Sequence, residues 1–148
     1  MRIALGADHG GYHLKEEIKS LLETMNISYE DLGCCDEKSV DYPDYAFLVT
    51  EKVASGDCGQ GILVCGTGIG MSIAANKVKG IRCALVSDLF SAKATREHND
   101  SNVLALGARV IGTGLALEIV KVWLTTAFSG GRHMQRLEKI NQVEKIYL

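Results

Sequence analysis

One segment concentrates residue types able to do chemistry: Cys65-Gly66-Thr67-Gly68-Ile69-Gly70-Met71-Ser72. Three glycines alternate between an apolar run and a helix-type pattern. Glycine lets a ligand approach the backbone closely, and free N–H groups at a helix start bind anions. The segment is therefore a candidate cradle for a phosphate, or for an oxyanion that forms during a reaction. A tight strand-to-helix turn alone needs fewer glycines. Cys65 closes the apolar run and faces the loop. A thiol beside a helix N-terminus ionises more readily and serves as base or nucleophile. Free cysteine is also a common small core residue, so position alone leaves both readings open.

The four histidines are His9, His13, His98 and His133. His9 follows Asp8 where the first apolar run ends, and His98 lies in Glu97-His98-Asn99-Asp100. Both are expected on the ligand edge of a sheet, whereas His13 falls inside the first helix. Arg132 and Arg136 stand four apart at the start of the last helix and share one face. They form either a phosphate clamp or a solvated basic face paired with Glu138. Cys34, Cys35, Cys58 and Cys83 lack metal-ligand spacing, and no metal is expected. A dinucleotide fingerprint is only partial. Gly66 and Gly68 fit Gly-x-Gly-x-x-Gly, Met71 holds the third position, and Asp88 stands where a ribose-binding acid belongs. A P-loop is excluded, because Gly-x-x-x-x-Gly-Lys-Ser/Thr does not occur.

The elements that must position these residues alternate between two periodicities. Arg2–Ala7, Ile27–Leu32, Gly61–Cys65, Ile81–Val86 and Val103–Leu106 read as strands. Gly61-Ile-Leu-Val-Cys65 is a continuous apolar run, as in strands buried on both faces. Helical spacing marks Tyr12–Met25, with Leu14, Ile18, Leu21, Leu22 and Met25 on one face. Further helices are expected at Tyr45–Ala54, Met71–Val78, Leu89–Glu97, Leu115–Phe128 and His133–Tyr147. Such alternation predicts an α/β fold: a doubly wound, Rossmann-like parallel sheet of about five strands, with helices on both faces. Ligands in such sheets bind beyond the carboxyl ends of the strands.

Composition bounds the function. At 148 residues one domain is expected. Sixteen basic against eighteen acidic side chains disfavour bulk nucleic-acid binding. No run approaches the ~18 apolar residues of a membrane span. Five cysteines, an odd number at irregular spacing, fit reduced thiols in the cytoplasm. The last helix carries Met134, Leu137, Ile140, Val143 and Ile146 as an apolar stripe, which must bury here or in a partner.

Taken together, Asp8-His9-Gly10-Gly11, Asp41-Tyr42-Pro43-Asp44-Tyr45 and Cys65 through Lys77 resemble the type B ribose-5-phosphate isomerases. Gly80-Ile81-Arg82, Glu97-His98-Asn99-Asp100, Leu106-Gly107-Ala108-Arg109 and Gly131-Arg132-His133 with Arg136 agree. The likeness spans essentially the whole chain. It implies that Cys65 is the base moving a proton between C1 and C2. His98 and Thr67 match the ring-opening pair, with Asp8 near the ring hydroxyls. The N–H groups of Gly66, Gly68, Ile69 and Gly70 match an anion hole. His9, Arg109, Arg132 and Arg136 match phosphate contacts, and Tyr42 and Asn99 sugar contacts. One branch of the family replaces the cysteine by a glutamate in the glycine segment; Met71 holds that place here, so the chain resembles the cysteine branch. The resemblance implies no cofactor, a phosphosugar substrate and a place in the pentose phosphate pathway. It also implies a homodimer, with dimers of dimers left open, and sites assembled from two subunits. Galactose- and allose-6-phosphate isomerases share much of the pattern, so a six-carbon substrate is the alternative inside the enzyme class. A non-catalytic sugar-phosphate or nucleotide binding module is the alternative outside it.

Overall fold

The computed structural model describes residues 1–148. Its strands are β1 (Arg2–Ala7), β2 (Ser28–Asp31), β3 (Gln60–Cys65), β4 (Cys83–Leu85) and β5 (Val103–Gly107). The helices are α1 (Tyr12–Thr24), α2 (Tyr42–Ala54), α3 (Ile69–Ala75), α4 (Leu89–Asn99), α5 (Thr113–Thr125) and α6 (Arg132–Tyr147). All pairings are parallel, in the order β2-β1-β3-β5-β4. The doubly wound sheet expected from the sequence is therefore present. β3 sits at its centre with every residue buried, as its uninterrupted apolar run requires.

Two apolar layers hold the helices to the sheet. On one face, Leu14, Ile18 and Leu22 of α1 and Ala116, Ile119 and Trp123 of α5 pack on Ile3, Leu5, Ile62 and Leu104, with Ala92 of α4. On the other, Ala46, Val49 and Val53 of α2 and Met71, Ala74 and Ala75 of α3 pack on Ala4, Leu63 and Ala105. Alternate strand residues thus serve opposite layers. The chain leaves β1 toward β2 in one direction and returns across β1 to β3. That reversal opens a crevice at the carboxyl ends of β1 and β3, the place where ligands bind in such sheets.

Several boundaries differ from expectation. α2 starts at Tyr42, three residues early, because Pro43 is tolerated in a first turn where its missing N–H is not needed. β4 shrinks to Cys83–Leu85, an edge strand with a single neighbour. α3 starts two residues early at Ile69, directly after Gly68, whose φ of 76° turns the chain into the helix. A 3-10 turn at His9–Gly11, not expected, separates β1 from α1 and is capped by Asp8. No helix is long and apolar enough to cross a membrane.

Candidate active site

The carboxyl edge gathers most of the chemistry-bearing residues. Cys65 ends β3, is buried, and its Sγ accepts the Gly68 N–H at 3.1 Å. Thr67 Oγ1 accepts the Ile69 N–H at 3.3 Å. The N–H groups of Gly66 and Thr67 meet no acceptor in the chain. Small residues are required here. A Cβ on Gly10 would lie 3.1 Å from the Gly66 nitrogen, and one on Gly107 2.5 Å from the Thr67 carbonyl oxygen. The ends of β1, β3 and β5 thus press their backbones together around the thiol.

Neighbouring loops wall this centre. Asp8 is buried, and its Oδ1 accepts the N–H groups of Gly10 at 2.9 Å and Gly11 at 3.2 Å. His9 Nδ1 accepts the Val40 N–H at 3.2 Å, which leaves Nε2 to carry the ring hydrogen when the imidazole is neutral. The Arg109 side chain lies against Gly66, and the Arg109 backbone N–H donates to the Gly66 carbonyl at 2.9 Å. The Tyr42 ring lies against Gly70, where a Cβ would come within 2.6 Å of Cζ. Asp88, considered above as a ribose-binding acid, caps α4 by accepting the Ser91 N–H at 2.7 Å. That hydrogen bond holds its carboxyl below the ordinary range.

His98 departs from expectation: it does not lie on the ligand edge. A helix that follows a parallel strand runs back along the sheet, so α4 ends at the amino edge, where β5 begins. Cys65 pairs with Gly107 at the far end of β5, while Gly61 pairs with Val103 at the near end. At about 3.3 Å per residue, roughly 13 Å of strand separates the two edges. Asn99 lies with His98, and both are exposed. Their helix end is firmly tied. Arg82 donates to the carbonyls of Asn99 and Asp100, Arg96 pairs with Asp100 at 2.9 Å, and the buried Trp123 Nε1–H donates to Ser101 Oγ.

The start of α6 joins this second cluster. The Ser129 N–H donates to the Glu97 carbonyl, and the His133 ring stacks on His98 with centroids 4.4 Å apart. Arg132 and Arg136 are exposed, and neither pairs with Glu138 or any other carboxylate. Sequence reasoning gave His133 no role; only its packing distinguishes it. The candidate residues therefore fall into two separate clusters. Cys65, Gly66, Thr67, Gly68, Ile69, Gly70, Asp8, His9, Tyr42 and Arg109 occupy one edge, and His98, Asn99, Arg132 and Arg136 the other.

The cleft reaching the glycine loop holds about 150 Å³ and is lined by Thr67, Ile69, Leu85, Gly107 and Val110; Cys65 lines no cavity of the chain. A larger space of about 490 Å³ lies between α6 and the β4 edge, beside Cys83, whose thiol burial pushes up to about 12. No group of three His, Cys, Asp or Glu side chains is placed to hold a metal.

The family model for ribose/galactose isomerase matches residues 3–140. The Bacillus subtilis protein YwlF is 64% identical, over 98% of each chain. Ribose-5-phosphate isomerase B of Escherichia coli is 48% identical, over 97% of each. The solved structure of Clostridium thermocellum ribose-5-phosphate isomerase B superimposes with a TM-score of 0.98 at 52% identity, covering 100% of both chains. Similarity of this extent, along nearly the whole chain, means that the chain belongs to the ribose/galactose isomerase family.

Proposed function

We propose that this protein interconverts ribose 5-phosphate and ribulose 5-phosphate, an aldose–ketose isomerisation of the pentose phosphate pathway. The observation that carries the reading is the buried Cys65 sulfur, held beside a loop whose Gly66 and Thr67 N–H groups are unengaged. Isomerisation needs one base, a stabiliser for a developing oxyanion and an anchor for the remote phosphate. It needs no metal or cofactor.

Ring opening comes first. The C1 hydroxyl gives up its proton, the ring oxygen gains one, and the C1–O4 bond breaks to give the aldehyde. His98 and Thr67 are the pair for this step, with Asp8 beside the ring hydroxyls. Cys65 then takes the proton from C2. The C–H electron pair forms a C1–C2 double bond, and the carbonyl pair moves onto O1. The glycine loop, from Gly66 to Gly70, stabilises this enediolate, chiefly through the unengaged N–H groups of Gly66 and Thr67; one such donor typically contributes ~10²–10³ in rate. The O2 proton passes to O1, Cys65 returns its proton to C1, and the ketone stands at C2. His9, Arg109, Arg132 and Arg136 hold the phosphate, and Tyr42 and Asn99 hold the sugar. Binding energy from that distant phosphate orients the reacting carbons.

The reading requires two copies of the chain. Its half-sites lie on opposite sheet edges, so a second copy must present His98, Asn99, Arg132 and Arg136 to Cys65. The open apolar face of α6 supports such a contact. Of the stripe only Leu137 is buried, while Met134, Ile140, Val143 and Ile146 are at least half exposed. A two-fold dimer satisfies both half-sites at once and is the commonest soluble assembly. The decisive experiment is turnover of ribose 5-phosphate to ribulose 5-phosphate by the intact protein and by Cys65→Ala. We expect loss of ~10²–10⁴-fold in kcat, the usual contribution of a general base, with phosphosugar binding retained. Near-normal turnover by Cys65→Ala would refute the assignment.

A further inference from the structure

We propose that His133 is a positioning residue for His98, its buried ring being the platform that fixes the orientation of the exposed His98 imidazole. This rests on the proposed part of His98 in ring opening. The two rings are nearly parallel, 16° between planes, with centroids 4.4 Å apart. They belong to different elements, α4 and α6, so the stack also sets how the two helices meet. Only two of the sixteen residues of α6 are buried, His133 and Leu137, one turn apart on the face toward α4.

A histidine is a poor choice for packing alone at this position. Its Nδ1 is buried with no hydrogen-bond partner, and buried polar atoms ordinarily have one. Leucine would fill the space without that orphan. What the imidazole adds is a flat, rigid surface of the same size as the ring it supports. The local backbone delivers it. Gly130 and Gly131 both have positive φ, of 65° and 56°, and reverse the chain so that the His133 N–H bonds the Gly130 carbonyl. The charged groups around the pair are Glu97 on α4 and Arg132 and Arg136 on α6. Burial pushes His133 below its ordinary range, and His98, Arg132 and Arg136 act in the same direction against Glu97. A neutral platform is the state in which two imidazoles stack without like-charge repulsion.

The test compares His133→Phe, which keeps a flat ring, with His133→Ala, which removes it. Expected for His133→Ala is a loss of more than tenfold in kcat on ribose 5-phosphate, with KM within threefold of the unsubstituted enzyme. Expected for His133→Phe is recovery of kcat to within about threefold. The carbon-bound ring protons of His98, followed by NMR in the free enzyme, should be shifted upfield by the stacked ring, keep that shift in His133→Phe and lose it in His133→Ala. A kcat unchanged in folded His133→Ala overturns the proposal. So does a His133→Phe as impaired as His133→Ala, which would mean that polarity rather than the stack matters. If neither variant folds, the unsubstituted enzyme still decides, because unshifted His98 protons show that no stack exists in solution. His98→Ala separates the two levels of inference. Normal turnover by it refutes the ring-opening reading itself, whereas impaired His98→Ala beside unimpaired His133→Ala refutes the platform alone.

Discussion

Cys65 and His98 divide two proton movements between them in the proposed reaction, and the division can be measured. Ring opening precedes the C2–C1 proton transfer and is needed only for a closed sugar. His98→Ala should therefore lower turnover of ring-closed ribose 5-phosphate much more than turnover of an open-chain aldose phosphate, whereas Cys65→Ala should lower both. A general acid–base group contributes ~10²–10⁴-fold, so a ratio change of tenfold or more between the substrates is expected for His98→Ala. Equal losses on both substrates would contradict the division. His9 belongs to the same scale. With Nδ1 taken up by the Val40 N–H, His9 can offer an N–H to the proposed phosphate only through Nε2.

Among the elements, the β3–α3 turn and the α1–β2 contact have separable consequences. Gly68 and Gly56 both have positive φ, of 76° and 83°. A Cβ on Gly68 would stand 2.5 Å from Leu85 Cδ1 and 2.9 Å from the Leu106 carbonyl carbon, while one on Gly56 meets nothing within 4 Å. Gly56→Ala should cost the ~1–2 kcal/mol of a left-handed non-glycine residue. Gly68→Ala should cost clearly more and impair turnover, since backbone in the glycine loop, the proposed anion hole, must shift. Urea unfolding of the two variants decides this, and equal losses would contradict it. At the α1–β2 contact, Lys15 is only 2% exposed at its side chain and pairs with Asp31 at 2.8 Å. Burial pushes the Asp31 carboxyl up, but Lys15, the Gly33 N–H and Lys19 together hold it below its ordinary value. Its folded pKa therefore lies below the unfolded one. The stabilisation is complete above about pH 4–5 and is lost as pH falls through the folded value. Asp31→Asn should cost about 2–3 kcal/mol at neutral pH, less than the ~3–5 of breaking a fully buried pair. The discount reflects Asp31 being a quarter exposed and Glu16 still lying 3.2 Å from Lys15. It should also flatten the acid limb of the stability curve between pH 5 and 2, and an unchanged limb would show that other carboxyls govern acid unfolding.

For the molecule as a whole, the separation of the two residue clusters turns the proposed function into a prediction that no single chain can satisfy. Cys65→Ala and His98→Ala proteins are each inactive in the proposed scheme. Unfolded together and refolded, they should form mixed dimers in which one site combines an intact Cys65 with an intact His98. Random pairing yields about half mixed dimers, each with one working site of two, so roughly a quarter of normal activity should return. Mixed dimers that form yet stay inactive would show that both residues of a site come from one chain.

The sequence by itself determined the alternation of strands and helices, the glycine-rich turn after Cys65 and the family. Those features are local: period-2 and period-3.6 patterns and consecutive residues in one turn. It also placed a helix from Tyr45, though not that the helix would take in Tyr42 and Pro43. What it did not determine was where His98 stands. His98 precedes a strand, as surely as Cys65 ends one, and only the antiparallel run of α4 against the sheet puts the two on opposite edges. Nor did it reveal His133, because a histidine between glycines and arginines looks like a surface residue until α6 folds back on α4. Tertiary packing decides both, since contact between α4 and α6 depends on the chain reversal at Gly130-Gly131, not on any pattern along the helix itself.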